Sequence, residues 1–328
     1  MSTLKRLGWR LLNAVLLIFA VLILNFFLIQ AAPGDPAEVI AGEMGGATEE
    51  MLASIRAAYG LDKPPLTQFY IYVVRATRGD LGISFFYNAP VSELILTRVW
   101  PTLLLVVTAL LMAIFGGTFL GVMTARKPDG FFSNVVTVLS LVGYSLPVFW
   151  SGLMIVILFA SWIPIFPVSG MRDILLEGSR WDHAVDVAYH LVLPATTLAI
   201  IYLAQYSRLA RASMLEVLES DYIRTARSKG LSELSVVGKH GLRNAILPVV
   251  TIAGLQFGSL LSGAILVETV FNWPGLGTLA FESILRRDFP TILGILLFSS
   301  IIVIVANILT DVAYQFIDPR ITIGDNRS

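Results

Sequence analysis

Cysteine is absent from this chain of 328 residues. Disulfides, thiolate metal sites and cysteine nucleophiles are therefore excluded, while the redox compartment stays open. Charge is scarce as well: 14% of residues are Asp, Glu, Lys or Arg, against about a quarter in a typical soluble domain. The two signs cancel to a formal net charge of zero, so no global basic field is present to draw nucleic acid as a partner. No G-x-x-x-x-G-K-[ST] stretch occurs. Without that phosphate-cradling loop the chain has no visible means of hydrolysing ATP, and its energy must come from a partner or an ion gradient. Solenoid-period repeats, heptad arrays and low-complexity tracts are missing too.

Apolar sequence is abundant instead: 56% of residues are hydrophobic, gathered in long uncharged runs. A helix needs about 20 apolar residues to cross the hydrocarbon of a bilayer. Six segments qualify, at about 9–30, 101–125, 132–162, 187–208, 245–267 and 290–310. The first has the basic flank of a signal peptide, but it is span-length and lacks a small-residue cleavage site, so an uncleaved span is expected. The third contains Pro147 and is longer than one crossing needs, which predicts a tilt, a kink or a re-entrant end. The fourth is the weakest, since it holds His190, Pro194 and Gln205. The spans are otherwise almost bare of ionisable groups. Ion-coupled carriers place such groups at membrane depth, so the pattern favours mechanical drive.

The loops alternate in charge. Lys5, Arg6 and Arg10 precede the first span, and Arg126 and Lys127 follow the second. Arg208, Arg211, Arg224, Arg227, Lys229, Lys239 and Arg243 lie between the fourth and fifth. Acids dominate after the first and third spans. The positive-inside rule then places both termini in the cytoplasm. One external loop disagrees, where Arg286 and Arg287 sit. The segment after the first span is long enough for a small folded cap. Thr48 before Glu49 and Glu50 reads as a helix start and Gly60 as its stop; Pro65 opens a second helix ending near Gly79. Residues 91–98 read as a short amphipathic helix ahead of the second span. The cap either covers the membrane surface or helps dock a soluble partner.

The most charged internal stretch is RLARASMLEVLESDYIRTARSKGLSELSVVGKHGLRNAILP, residues 208–248. Leu215, Leu218, Tyr222 and Ile223 recur at helical spacing, so its first part continues the fourth span. A short helix is expected over Tyr222–Ser228 with Gly230 as its stop, and another over Ser232–Lys239. A stiff rod of this kind could seat in a groove on another protein, its arginines pairing with acids and Tyr222 and Ala226 supplying apolar contact. An ordinary basic loop with an amphipathic helix on the lipid surface fits the same residues. Gly116, Gly117 and Gly121, and Gly254 with Gly258, form small-residue faces that let helices approach closely. His183, His190 and His240 fall on both sides of the membrane and cannot share a metal. The serines of Ser151-Gly152, Ser169-Gly170 and Ser262-Gly263 have no base in evident reach except His190, which argues against a membrane hydrolase.

DYIRTARSKGLS followed by HGLRNAILPVVT resembles the cytoplasmic loop of ABC-importer permeases, in the version of the dipeptide, oligopeptide and nickel permease family. The E-A-A stretch of the general importer loop is replaced here by Arg224-Thr225-Ala226, while Gly230 is kept. LIQAAPGDPAE, YGLDKPPLTQFYIYV, GDLGISF, VWPTLLL, VETVFNWPGLG and DPR are similar to the same family and follow in its order, so the resemblance covers nearly the whole chain.

The resemblance implies an all-α polytopic membrane protein of the bacterial inner membrane with six transmembrane helices. Its permease fold would be that of a type I ABC importer, with a small external cap. The implied segments are a cytoplasmic N-terminus and first span (1–30), a periplasmic cap (31–90), a permease core (91–311), a coupling loop (213–243) and a cytoplasmic tail (312–328). Asp221, Tyr222, Arg224, Ala226, Lys229 and Gly230 would dock a cytoplasmic ATPase. The implied partners are a second homologous permease, two ATPase subunits that carry ATP and Mg²⁺, an extracytoplasmic substrate-binding protein and membrane lipid. This chain would bind no cofactor or metal itself. Di- or oligopeptides are the expected cargo; relatives of this kind also carry nickel chelates, glutathione or oligosaccharides. The alternative class is an ion-coupled secondary transporter working alone.

Overall fold

The computed structural model describes residues 3–31, 34–41, 48–84 and 86–317. The tail from Asp318, with its DPR triplet, Arg320 and Arg327, lies outside them, as does part of the LIQAAPGDPAE segment. The side chains of Lys5, Arg6 and Arg10 and the surroundings of Gly254 also lie outside what is described. Among the described residues, four helices are long and apolar enough to cross a membrane, and six crossings result if each of two bent helix pairs counts as one. The chain divides into two compact units: residues 1–101 with 274–308, and 102–273 with 309–328.

The first unit begins with α1 (Thr3–Ala31), followed by the cap helices α2 (Pro36–Ala41), α3 (Glu49–Tyr59) and α4 (Pro65–Thr77). The Thr48 hydroxyl accepts a hydrogen bond from the Met51 N–H, and Gly60 closes α3 with φ of 65°. Both are local signals, because capping satisfies orphan backbone groups within one turn. Helix α2 is unforeseen; it packs Ala37, Ile40 and Ala41 against Leu52 and Ile55 of α3. Helix α4 lies along α1 through Phe69, whose ring stands 5.3 Å from Phe26 and 5.9 Å from Phe19. Asn25, fully buried on the apolar α1, donates to Tyr72 at 3.3 Å and to the Leu293 carbonyl at 3.1 Å. A two-residue hairpin follows, β1 (Ile83–Ser84) antiparallel to β2 (Ala89–Pro90).

The expected short helix over 91–98 is not separate. It is the first two turns of α5 (Val91–Arg126), which carries Pro101 inside it. Proline forfeits one backbone hydrogen bond. The helix runs on because Val91 and Ile95 are wholly buried against Leu276 and Leu279 of α13 (Leu276–Leu285) and Ile295 of α14 (Phe289–Ile317). A Cβ on Gly294 would come within 2.5 Å of the Val91 side chain. The two arginines that break the expected alternation of loop charge also belong here. Arg286 lies 3.9 Å over the Phe86 ring, a cation–π contact that uses its charge locally. Nearby, Ser84 and Thr291 donate to the buried Asp288 at 2.6 Å each, and the Tyr87 hydroxyl donates to Glu282 at 2.7 Å. Burial, then Glu282, pushes the Tyr87 phenol up to about 12.

Asp35 ties the start of the cap to Arg56 and accepts from the Ala37 N–H at 3.0 Å. That backbone donor first, and then Arg56, lower its carboxyl below the ordinary 3.8. A carboxylate lowered on folding stabilises fully above its unfolded value and loses that contribution as pH falls through its folded value. The cap is therefore expected to loosen only below about pH 4. Asp35→Asn should remove this acid-sensitive component, leaving the α2–α3 amides equally protected at pH 3 and pH 6 by hydrogen exchange. An unaltered acid response in the variant would refute the assignment.

In the second unit, α6 (Phe131–Ser145) and α7 (Val148–Val156, extended by a wider turn to Trp162) are joined by a bend of 111°. The expected single third span is thus two arms. Pro147 forces Leu146 into an extended conformation (φ −83°, ψ 136°), because its ring clashes with a helical residue before it. Each arm has 15 residues, about 22 Å of helix against the roughly 30 Å of hydrocarbon. Helix α8 (Arg180–Leu218) is far longer than the expected fourth span. It starts at a capping box in which Ser179 and Asp182 exchange hydrogen bonds. His190 is internal to α8, with its ring nitrogen 3.1 Å from the Asp186 carboxylate. After the loop, α12 (Leu247–Val270) completes the unit; its parts Leu247–Ala253 and Gln256–Val270 are inclined by 53°. The last helix, α14, continues to Ile317, into the segment expected as tail.

Candidate functional site: the loop between α8 and α12

The loop opens with α9 (Asp221–Ser228), an eight-residue helix. Such a helix is too short to persist alone in water, so its anchor decides its stability. Ile223 is wholly buried and Ala226 nearly so, packed with Val236 and flanked by Val217 and Leu218. These two residues, three apart, make the inner face. Asp221, Tyr222, Arg224 and Lys229 are exposed. Ala226, expected as an apolar contact for a partner, instead points into the chain's own core.

The ends are pinned by polar contacts. Asn244 donates to the Tyr222 hydroxyl at 2.8 Å. Arg227 binds Glu233 at 2.8 Å, joining α9 to α10 (Glu233–Ser235). Gly230 turns the chain at φ 76°, its N–H donating to the Arg227 carbonyl, and a Cβ there would meet nothing within 4 Å. The expected helix over 232–239 is α10 followed by a wide π-type turn over Val236–Gly241, then α11 (Leu242–Ala245). Val237 and Ala245 pack on Met214 of α8 and on Val122 and Ala125 of α5. The loop is thus seated on two long helices.

Arg224 and Asp221 pair at 3.5 Å, but their side chains are 71% and 97% exposed. An exposed pair of this kind contributes roughly 0–1 kcal/mol. The outward face is therefore charged and free to recombine with another surface. Not every basic residue of the loop faces outward. Arg211 donates to Thr137 at 3.0 Å and to the Pro128 carbonyl at 3.1 Å, bracing α8 against α6 and the turn before it.

The small-residue face of α5 meets α8 directly. A Cβ on Gly117 would lie 2.8 Å from the Leu203 carbonyl oxygen, and one on Gly121 would lie 2.5 Å from that of Ser207. Gly116 faces only the Leu203 side chain, at 3.1 Å. Gly258 is half-buried in α12. The sequence places Ile223 in the helical apolar spacing and Arg211 among the basic loop residues, but gives no sign of Asn244 or Glu233, which act through partners that only the folded chain brings near. No group of three or more His, Asp or Glu residues suited to a metal occurs among the described residues.

Comparison with known proteins is consistent along the chain. Residues 117–323 match the family model described as binding-protein-dependent transport system inner membrane component, and residues 3–106 match the N-terminal model of the same membrane component. The chain belongs to this family of importer membrane components. The family is a transport component and not itself catalytic. The dipeptide transport system permease protein DppB of Escherichia coli K12 is 41% identical, over 91% of this chain and 93% of its own. The oligopeptide transport system permease protein AppB of Bacillus subtilis is 37% identical, over 95% and 97%. Among solved structures, an inward-facing MetNI methionine ABC transporter aligns with a TM-score of 0.54 at 16% identity, covering 69% of this chain and 97% of that one. That likeness shows the fold: an all-α, polytopic ABC-importer permease.

Proposed function

We propose that this chain is a permease subunit of an ATP-driven importer of di- or oligopeptides, paired with a second permease. Two ATPase subunits below it would burn the ATP, and a binding protein outside would deliver the peptide. The identity to dipeptide and oligopeptide permeases over nearly the full length supports the cargo. The α8–α12 loop faces the cytoplasm in this reading, as do both termini, and α9 is the lever. The carrying observation is its two-faced build, with Ile223 buried and Asp221, Tyr222, Arg224 and Lys229 turned outward. A rigid element that is anchored inside and charged outside can pass a partner's motion to the spans it rests on.

Reversing charge at Arg224 tests this, because the exposed Asp221 pair contributes little to the fold. Arg224→Glu is expected to lower peptide uptake at least tenfold in vesicles while the purified chain keeps its melting temperature. Gly230 gives a second handle. Asn tolerates the left-handed conformation and leucine does not, at a cost of about 1–2 kcal/mol. Gly230→Asn should keep most uptake and Gly230→Leu should lose it. Native uptake in both Arg224→Glu and Gly230→Leu would remove α9 from the coupling path.

A further inference from the structure

A groove of about 690 Å³ lies beside the loop, between the end of α5, the start of α6 and the α9–α10 corner. Its floor is apolar, with Leu218 and Val237 behind and the rings of Phe131 (86% exposed) and Phe132 at the rim. Its mouth carries Arg126 and Lys127, both exposed at the C-terminal end of a span-length helix. The third cation, Arg227, is already occupied by Glu233. The first turn of α6 opens into the same groove. Gly130 caps that helix without a side-chain hydrogen bond, so its first N–H groups keep their donor capacity, an arrangement that favours anions. Ser133 lines the groove too. It is 1% exposed, and its hydroxyl has no hydrogen-bond partner among the described residues.

We infer that this groove binds one anionic glycerophospholipid, its phosphate held by Arg126, Lys127, the α6 N-terminus and the Ser133 hydroxyl, and its acyl chains laid over Phe131 and Phe132. A free anion would account for the donors but not for two exposed phenylalanines next to them. A bare apolar patch would account for the rings but not for two cations and an unpaired buried hydroxyl. An amphiphile with an anionic head satisfies both. The end of an apolar span, where the bilayer's hydrocarbon gives way to headgroups, is where such a molecule is available. The inference rests on the cytoplasmic placement of the loop, which makes the lipid a constituent of the inner leaflet and a neighbour of the lever.

The test is lipid retention by the full-length purified chain. Phosphatidylglycerol and phosphatidylcholine would be offered together in mixed micelles and the bound fraction read by native mass spectrometry. Phosphatidylglycerol should be preferred. Arg126→Gln with Lys127→Gln should cut that preference about tenfold. Ser133→Ala should cut it severalfold without lowering the melting temperature, since its hydroxyl has no bond to lose. Lys239→Gln, an exposed cation elsewhere in the loop, should change nothing. Equal retention of both lipids, or a preference unaffected by the double variant, would overturn the inference. Displacement by millimolar inorganic phosphate would reassign the site to a soluble anion. Loss of the lipid on adding ATPase subunits would make the groove part of a protein interface. The readout does not involve transport, so its failure is separable from failure of the importer reading.

Discussion

Gly121→Val is expected to destabilise the protein by about 3 kcal/mol, the upper end for overpacking. The added Cβ would fall 2.5 Å from the Ser207 carbonyl oxygen and 2.9 Å from the Arg211 nitrogen, both backbone atoms of α8. Side chains can rotate away from such an intrusion, but a helix backbone cannot, so α5 and α8 must separate. In lipid, solvent does not drive helices together; close packing does, and separation forfeits it over several turns. It would also strain the brace that Arg211 forms with Thr137 and Pro128. Gly116→Ala is the control on the same helix. Its nearest obstacle is the movable Leu203 side chain at 3.1 Å, so a change below about 1 kcal/mol is expected. Thermal unfolding in detergent measures both. Equal melting temperatures for Gly121→Val and the native chain would mean that the glycines do not set the approach of α5 to α8.

The second large effect concerns α9. Ile223→Ala removes the only wholly buried side chain of α9 among the described residues. Truncating a buried isoleucine costs about 2–5 kcal/mol. Here nearly all of it falls on one contact, between α9 and the Val217–Leu218–Val236 cluster. Amide exchange over 221–231 should accelerate by a factor on the order of 100, while α8 and α12 stay protected. Peptide uptake should fall with it. The contrast with Arg224→Glu is informative. That change leaves α9 seated and alters only its outer face, so uptake should fall with no change in exchange. If α9 amides in Ile223→Ala stay as protected as before, the helix is held by its polar pins at Asn244 and Glu233 and not by Ile223.

Features whose cause is local were legible in the amino-acid order. Thr48 and Gly60 mark the ends of α3 because a cap acts within one turn. Pro147 marks a break because its ring restricts the residue before it. The run lengths marked α1, α5 and α14 because each is apolar over at least the length a bilayer's hydrocarbon requires. The outline of α9 was legible for the same reason, as a short helix ending at a glycine.

What only the tertiary structure decided depends on partners far away along the chain. Asn25 reads as a stray polar residue in a span until the Leu293 carbonyl, 268 positions on, receives its hydrogen bond. Asp288 is unremarked in the sequence and becomes a buried acceptor for Ser84, 204 positions earlier. Arg211 counts as one more basic loop residue until it closes on Thr137, 74 positions away. Ala226 was offered to a partner by its motif and claimed by the core, since a small apolar residue fits either and only the packing of Ile223 and Val236 chooses. Composition and periodicity thus established a helical membrane protein with a charged loop between α8 and α12. Which residues of α9 face outward was settled by its packing on Val217, Leu218 and Val236.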